Sequence, residues 1–63
     1  MKKGDYVQTP RFLTVRISEV LTEDEAITEG FTEPTHYEGV NYEIRGKSID
    51  LNRMVFAAIK KTD

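Results

Sequence analysis

A chain of 63 residues with no cysteine and a single histidine has to fold without disulfides and without thiolate or all-nitrogen metal sites. That constrains it more than any motif it carries. The length allows one domain, residues 1–63. At this size folding buries only about 60% of the surface the unfolded chain exposes, and such domains ordinarily lean on a disulfide, a metal or a partner subunit. Without cysteine, disulfides and thiolate ligands are both ruled out, and His36 alone cannot build a nitrogen-ligated structural site. Tight side-chain contact or self-association must supply the stability, so a homo-oligomer is among the expectations and no cofactor is.

Apolar residues at 38% and charged residues at 32% describe a globular chain rather than a disordered one. No apolar run approaches the roughly 20 residues of a membrane span. The basic start, Met1-Lys2-Lys3, is not followed by the apolar stretch of a signal peptide. Freedom from cysteine suits a reducing compartment. The expected setting is the cytoplasm, with no membrane contact.

The net charge of −2 conceals three blocks. Residues 1–17 carry Lys2, Lys3, Arg11 and Arg16 against Asp5. Residues 18–43 carry eight carboxylates and no Lys or Arg, and residues 44–63 carry Arg45, Lys47, Arg53, Lys60 and Lys61 against Asp50 and Asp63. The simpler reading is that basic strands and an acidic helix attract each other within the domain. The sharper one assigns a basic and an acidic surface to different partners.

Asp5 to Thr9 reads as a short strand stopped by Pro10. Phe12 to Val20 is the clearest strand, with Leu13, Val15 and Ile17 on one face and Thr14, Arg16 and Ser18 on the other. The period then changes. Thr22-Glu23-Asp24-Glu25 has the spacing of a capping box, Leu21 and Ala26 stand at the staple positions, and Gly30 with Phe31 forms a Schellman-type end. A helix over 23–29 is predicted; at two turns it cannot stand alone, so Ala26, Ile27 and Phe31 should dock on the sheet. Residues 33–39 read as loop between Pro34 and Gly39. Tyr42 and Ile44 begin another strand, whose parity slips before Ile49; a bulge at Gly46 would repair it.

Leu51 to Lys60 reads either way. Leu51, Met54, Val55, Ala58 and Ile59 have helical spacing, but a helix would leave Phe56 in water. A strand buried on both faces uses Val55, Ala57 and Ile59 on one side and Met54, Phe56 and Ala58 on the other. Asp50-Leu51-Asn52 then forms a turn, with Asn52 suited to a positive φ. The strand is preferred. The fold class is therefore α+β: a small, mostly antiparallel sheet of two N-terminal strands and a C-terminal hairpin, with one short helix.

Catalytic signatures fail on inspection. Gly46-Lys47-Ser48 resembles the end of a phosphate-binding loop, but the required earlier glycine is replaced by Asn41. His36 stands among Glu33, Thr35, Tyr37 and Glu38, yet acid–base work needs a pocket that a two-turn helix on a small sheet is not expected to form. No arrangement of Ser, His and Asp marks a nucleophile. No enzyme activity is expected. The candidate binding residues are Arg11, Arg16, Arg45, Lys47 and Arg53, with His36 and Tyr37. Basic residues mixed with Tyr6, Phe12 and Tyr42 on strands would suit a sheet that stacks nucleic-acid bases.

Lys3-Gly4-Asp5-Tyr6-Val7 is similar to the Gly-Asp-x-Val opening of many small SH3-like barrels, which would make the sheet a barrel of that kind. Pro10-Arg11-Phe12, Glu33-Pro34-Thr35-His36-Tyr37, Gly46-Lys47-Ser48 and Asn52-Arg53-Met54-Val55-Phe56-Ala57-Ala58 together resemble a group of short uncharacterised bacterial proteins associated with conjugative and phage-like elements. That resemblance implies a bacterial cytoplasmic accessory protein and carries no activity to any residue. The leading expectation is a non-enzymatic domain binding another protein or its own copy. Nucleic-acid binding through the basic strands comes second.

Overall fold

The computed structural model describes residues 1–61, so Asp63 of the third charge block lies outside the described residues. In chain order the elements are β1 (Tyr6–Thr9), β2 (Leu13–Leu21), α1 (Glu23–Glu29), β3 (Glu33–Pro34), β4 (Tyr42–Asp50) and β5 (Arg53–Lys60). They form a curled five-stranded sheet in the order β1-β2-β5-β4-β3, a half-barrel with one short helix.

The sheet is mixed, which corrects the mostly antiparallel expectation. β5 forms the expected hairpin with β4, but its other edge pairs in parallel with β2, from Ile17↔Phe56 to Leu21↔Ile59. The return strand β4 makes this parallel pairing possible. A chain leaving β2 through α1 and returning along β4 enters β5 in the direction of β2, the crossover that parallel strands require.

Both faces of β5 are covered, as its apolar run demands. Ala57 and Ile59 join Leu21, Ala26 and Phe31 in one cluster, with Val55 against it. Ala58 joins Val15, Ile17 and Ile44 on the other face, with Phe12, Val20, Tyr37, Tyr42 and Phe56 against them. A register shift between Ile17 and Glu19 lets β2 serve both clusters: Val15 and Ile17 face one, and after the slip Leu21 faces the other.

The helix ends as its sequence dictates. Thr22 Oγ1 accepts from the Glu25 N–H and the Glu25 carboxylate accepts from the Thr22 N–H, completing the capping box. Gly30 takes φ 89°, and the Phe31 and Gly30 N–H groups donate to Ala26 and Ile27 carbonyls in the Schellman pattern. Ala26 and Phe31 are buried, but Ile27 is 63% exposed and does not dock. So short a helix has room to bury only the narrow stripe that contains Ala26.

Further differences from expectation are local. Glu33 and Pro34 are not loop but a two-residue edge strand, paired with Gly46 and Arg45; Pro34 is tolerated there because an edge leaves one side without a ladder. The bulge lies not at Gly46, which pairs in register with Phe56, but between Ser48 and Asp50. Ile49 stays exposed, so no parity repair is needed upstream. Gly46 is glycine for space: a Cβ there would stand 2.7 Å from Met54 Cε and 3.0 Å from Phe56 Cε1. Positive φ falls on Leu13 (60°) and His36 (63°), not on Asn52, whose N–H instead donates to the Asp50 carboxylate in an Asx turn.

The two edges of the sheet meet at one corner. The Arg11 N–H, in the β1–β2 turn, donates to the Thr35 carbonyl just past β3. Buried Thr35 donates from Oγ1 to the Ile44 carbonyl at 2.7 Å, tying that corner to β4.

Candidate binding cleft

A concavity of this fold lies between strands. β2 and β5 both begin at the end of the sheet that carries the two hairpin turns, but they pair only from Ile17 and Phe56 onward. Before that point β2 follows β1 and β5 follows β4. The fork so formed is an open cleft of about 420 Å³, lined by Phe12, Thr14, Arg16, Asn52, Met54 and Phe56 among others.

Main-chain groups in the fork lack strand partners. Ile17 donates to Asp5 O and accepts from Gly4 N, both at 2.8 Å, so its polar groups face β1. Alternation along the strand turns those of Thr14 and Arg16 toward the fork. Because Ile17 faces away, the Ile17/Phe56 bridge is made by Phe56 to the residues flanking Ile17; Phe56, and by alternation Met54, also face the fork. Thr14 and Met54 therefore present N–H and C=O groups to the cleft with no β-ladder to receive them.

Side chains divide by face. Met54 and Phe56 lie on the face of Val15 and Ile17, where the Phe12 ring meets Phe56 at 5.2 Å between centroids, tilted by 59°. Arg16, Thr14 and Ser18 stand on the opposite face of β2, as Arg53 and Val55 do on β5. Leu13 and Leu51, next in sequence to lining residues, are 65% and 100% exposed.

The candidate basic residues do not gather on one surface. Arg11 donates to Glu33 Oε1 at 2.7 Å and to the Pro34 carbonyl, and its guanidinium lies 4.9 Å from the Phe12 ring centroid. Arg45 is clamped by Glu23 and Glu43, and their hydrogen bonds raise its pKa further. Lys47 Nζ lies 5.3 Å from the Phe31 ring centroid, under the helix end. These contacts favour the simpler reading of the charge blocks, in which basic strands hold acidic neighbours. Arg16, which lines the fork, and Arg53, which stands between the lining residues Asn52 and Met54 in sequence, are exposed and, among the described residues, enter no salt bridge.

His36 is exposed in the loop after β3, and Tyr37 packs against the Val15 cluster with its ring close to Gly39. Neither lines the fork. Gly46-Lys47-Ser48 lies within β4, not in a loop leading to a helix. Among the described residues no three His, Asp or Glu side chains group as metal ligands, and no helix is long and apolar enough to cross a membrane. Sequence reasoning found Arg16 but missed Thr14, Asn52 and Met54 as cleft residues; the signal that marks them is tertiary, the point where two strands part. Comparison of the chain with protein-family models, curated proteins and solved structures finds no match.

Proposed function

We propose that this chain is a non-enzymatic protein-binding domain that receives a segment of its partner in the fork between β2 and β5. The observation that carries the reading is the fork itself, where a 420 Å³ cleft brings an apolar floor together with main-chain groups that no strand satisfies. Exposed Leu13 and Leu51 beside it add apolar surface of the kind a protein partner covers. An accessory role in a bacterial mobile element rests only on the motifs quoted above.

Nucleic-acid binding is the second reading, favoured by exposed Arg16, which lines the same cleft as the Phe12–Phe56 pair. Against it, Arg11 already lies over Phe12, and Arg11 and Arg45 are held by carboxylates. One experiment separates the two. Peptides selected from a displayed random library on the purified chain should shift amides within 14–18 and 52–56, while oligonucleotides at about 0.15 M salt, where screening acts over about 8 Å, should leave them unmoved. Oligonucleotide binding that weakens along a log–log salt slope of about −0.7 per phosphate contact on single strands would install the second reading.

A further inference from the structure

We infer that the occupant of the fork is an extended acidic strand, with carboxylates alternating with apolar side chains, that pairs by its main chain with β2 at Thr14 and Arg16. The inference rests on the protein-binding reading and specifies the partner's chemistry. Three features of the fork lead to it.

The first is the unpaired main chain. The N–H and C=O of Thr14 and the N–H of Arg16 point into the cleft, and those of Met54 face them from β5. The β2 arm, Leu13 to Arg16, spans about 13 Å at about 3.3 Å per residue, enough for three or four residues of an added strand. Such a strand would continue the sheet between β2 and β5 until the two close on each other at Ile17 and Phe56.

The second is the division of side chains between faces. An added strand turns alternate side chains to opposite sides. On one side it meets Phe12, Met54 and Phe56; on the other it meets Arg16, with Arg53 on the same face of β5. The recognised pattern is thus apolar, acidic, apolar, acidic.

The third is the state of the two arginines. Eight carboxylates occupy residues 18–43, and Glu23, Glu33 and Glu43 close on Arg11 or Arg45. None reaches Arg16 or Arg53. Asp50 stands opposite Arg53 in register, but its carboxylate accepts from the Asn52 N–H and forms no salt bridge. The outer edge of β1 is also unpaired, but no β1 residue lines this cleft.

The test uses three end-blocked hexapeptides, alternating valine with glutamate, lysine or serine, titrated into the purified chain and followed by amide shifts. The glutamate peptide should shift Thr14, Arg16 and Met54, and should lose that effect when alternate backbone nitrogens are methylated. Replacing both Arg16→Ser and Arg53→Ser should weaken the glutamate peptide about fivefold, the worth of two exposed ion pairs, and leave the serine peptide unchanged. Both side chains are exposed, so an unaltered amide spectrum elsewhere checks that the variant folds. Equal binding of all three peptides in the fork overturns the acidic preference and leaves the protein-binding reading standing. Shifts confined to Tyr6–Gln8, no binding, or displacement of the glutamate peptide by an octathymidylate overturns both. A concentration-dependent dimer that broadens the fork amides without peptide makes a second copy the occupant and overturns the inference.

Discussion

Arg45 on β4 grips Glu23 at the start of α1 with both ends of its guanidinium, Nη1 to Oε2 at 2.6 Å and Nη2 to Oε1 at 2.8 Å, while Nη2 also donates to Glu43. The arginine side chain is only 18% exposed. This two-point clamp fastens a helix too short to hold itself, on the side where its first turn is acidic. Arg45→Ala should destabilise by about 1–2 kcal/mol, since charge-assisted bonds from a mostly covered donor exceed those of a surface pair. In a domain of this size each 1 kcal/mol lowers the midpoint by roughly 4–8 °C. Arg45→Lys should recover only part of the loss, because an ammonium cannot make the planar two-point contact. Thermal melts followed by circular dichroism would decide; equal midpoints for Arg45→Lys and the parent would remove the clamp from the account.

Three glutamates of α1 give opposite pH dependences. The hydrogen bond and charge of Arg45 lower the pKa of Glu23, and backbone and side-chain hydrogen bonds with Thr22 lower that of Glu25. Their contribution is full above the ordinary value near 4.5 and is lost as pH falls through the lowered folded values. Glu29 behaves the other way. Its hydrogen bond with Glu19, followed by burial and the Glu19 charge, raises its pKa. Stability therefore rises as pH falls from above the raised value toward 4.5, as the proton quiets the repulsion. Denaturant unfolding across pH 3–8 should show a maximum on the mildly acidic side. Glu29→Gln should raise stability at pH 7 and remove the rise, and a parent curve that only declines with acid would refute the pairing with Glu19.

Most of the local structure was legible because it is encoded within a few residues. The Thr22/Glu25 box, the Gly30 terminator and the two-faced run from Met54 to Ile59 each carry their own signal. The parallel pairing of β2 with β5 was not legible, since its partners lie nearly forty positions apart and either strand would read the same in an antiparallel sheet. The slip at Ile17–Glu19 was hidden for a related reason: Val20 and Leu21 are both apolar, so neither parity looked wrong. Arg16 was visible as a charge, but only the divergence of β2 from β5 makes it the wall of a cleft.

Gly46 offers a direct test of the register. A methyl group there would crowd Met54 Cε and the edge of the Phe56 ring. The methionine end can swing away, whereas the ring would have to give up its packing against Phe12. Gly46→Ala should cost about 1–3 kcal/mol, as overfilled sites do. Pairing it with Met54→Ala should recover less than half, because Phe56 still opposes the methyl group. A bulge at Gly46 would instead point the new methyl outward and make the substitution nearly neutral by urea unfolding.

Thr9 links the stability of the fold to the cleft. It is 1% exposed; its hydroxyl accepts from the Phe12 N–H at 3.1 Å and donates to the Leu13 carbonyl at 2.9 Å. Those two bonds hold the turn in which Leu13 takes φ 60°, and so place Phe12 against Phe56 at the mouth of the fork. Thr9→Val keeps the volume but strands the Phe12 N–H, which should cost about 1–3 kcal/mol. Thr9→Ser restores the hydroxyl and should recover most of that. The readout beyond stability is the Phe12 ring. In Thr9→Val at a temperature where the chain is still folded, its contacts with Phe56 protons should weaken, whereas Arg45→Ala, equally destabilised but remote from the turn, should leave them intact. Weakening in both would mean that Phe12 answers to overall stability and that the Thr9 hydroxyl does not position it.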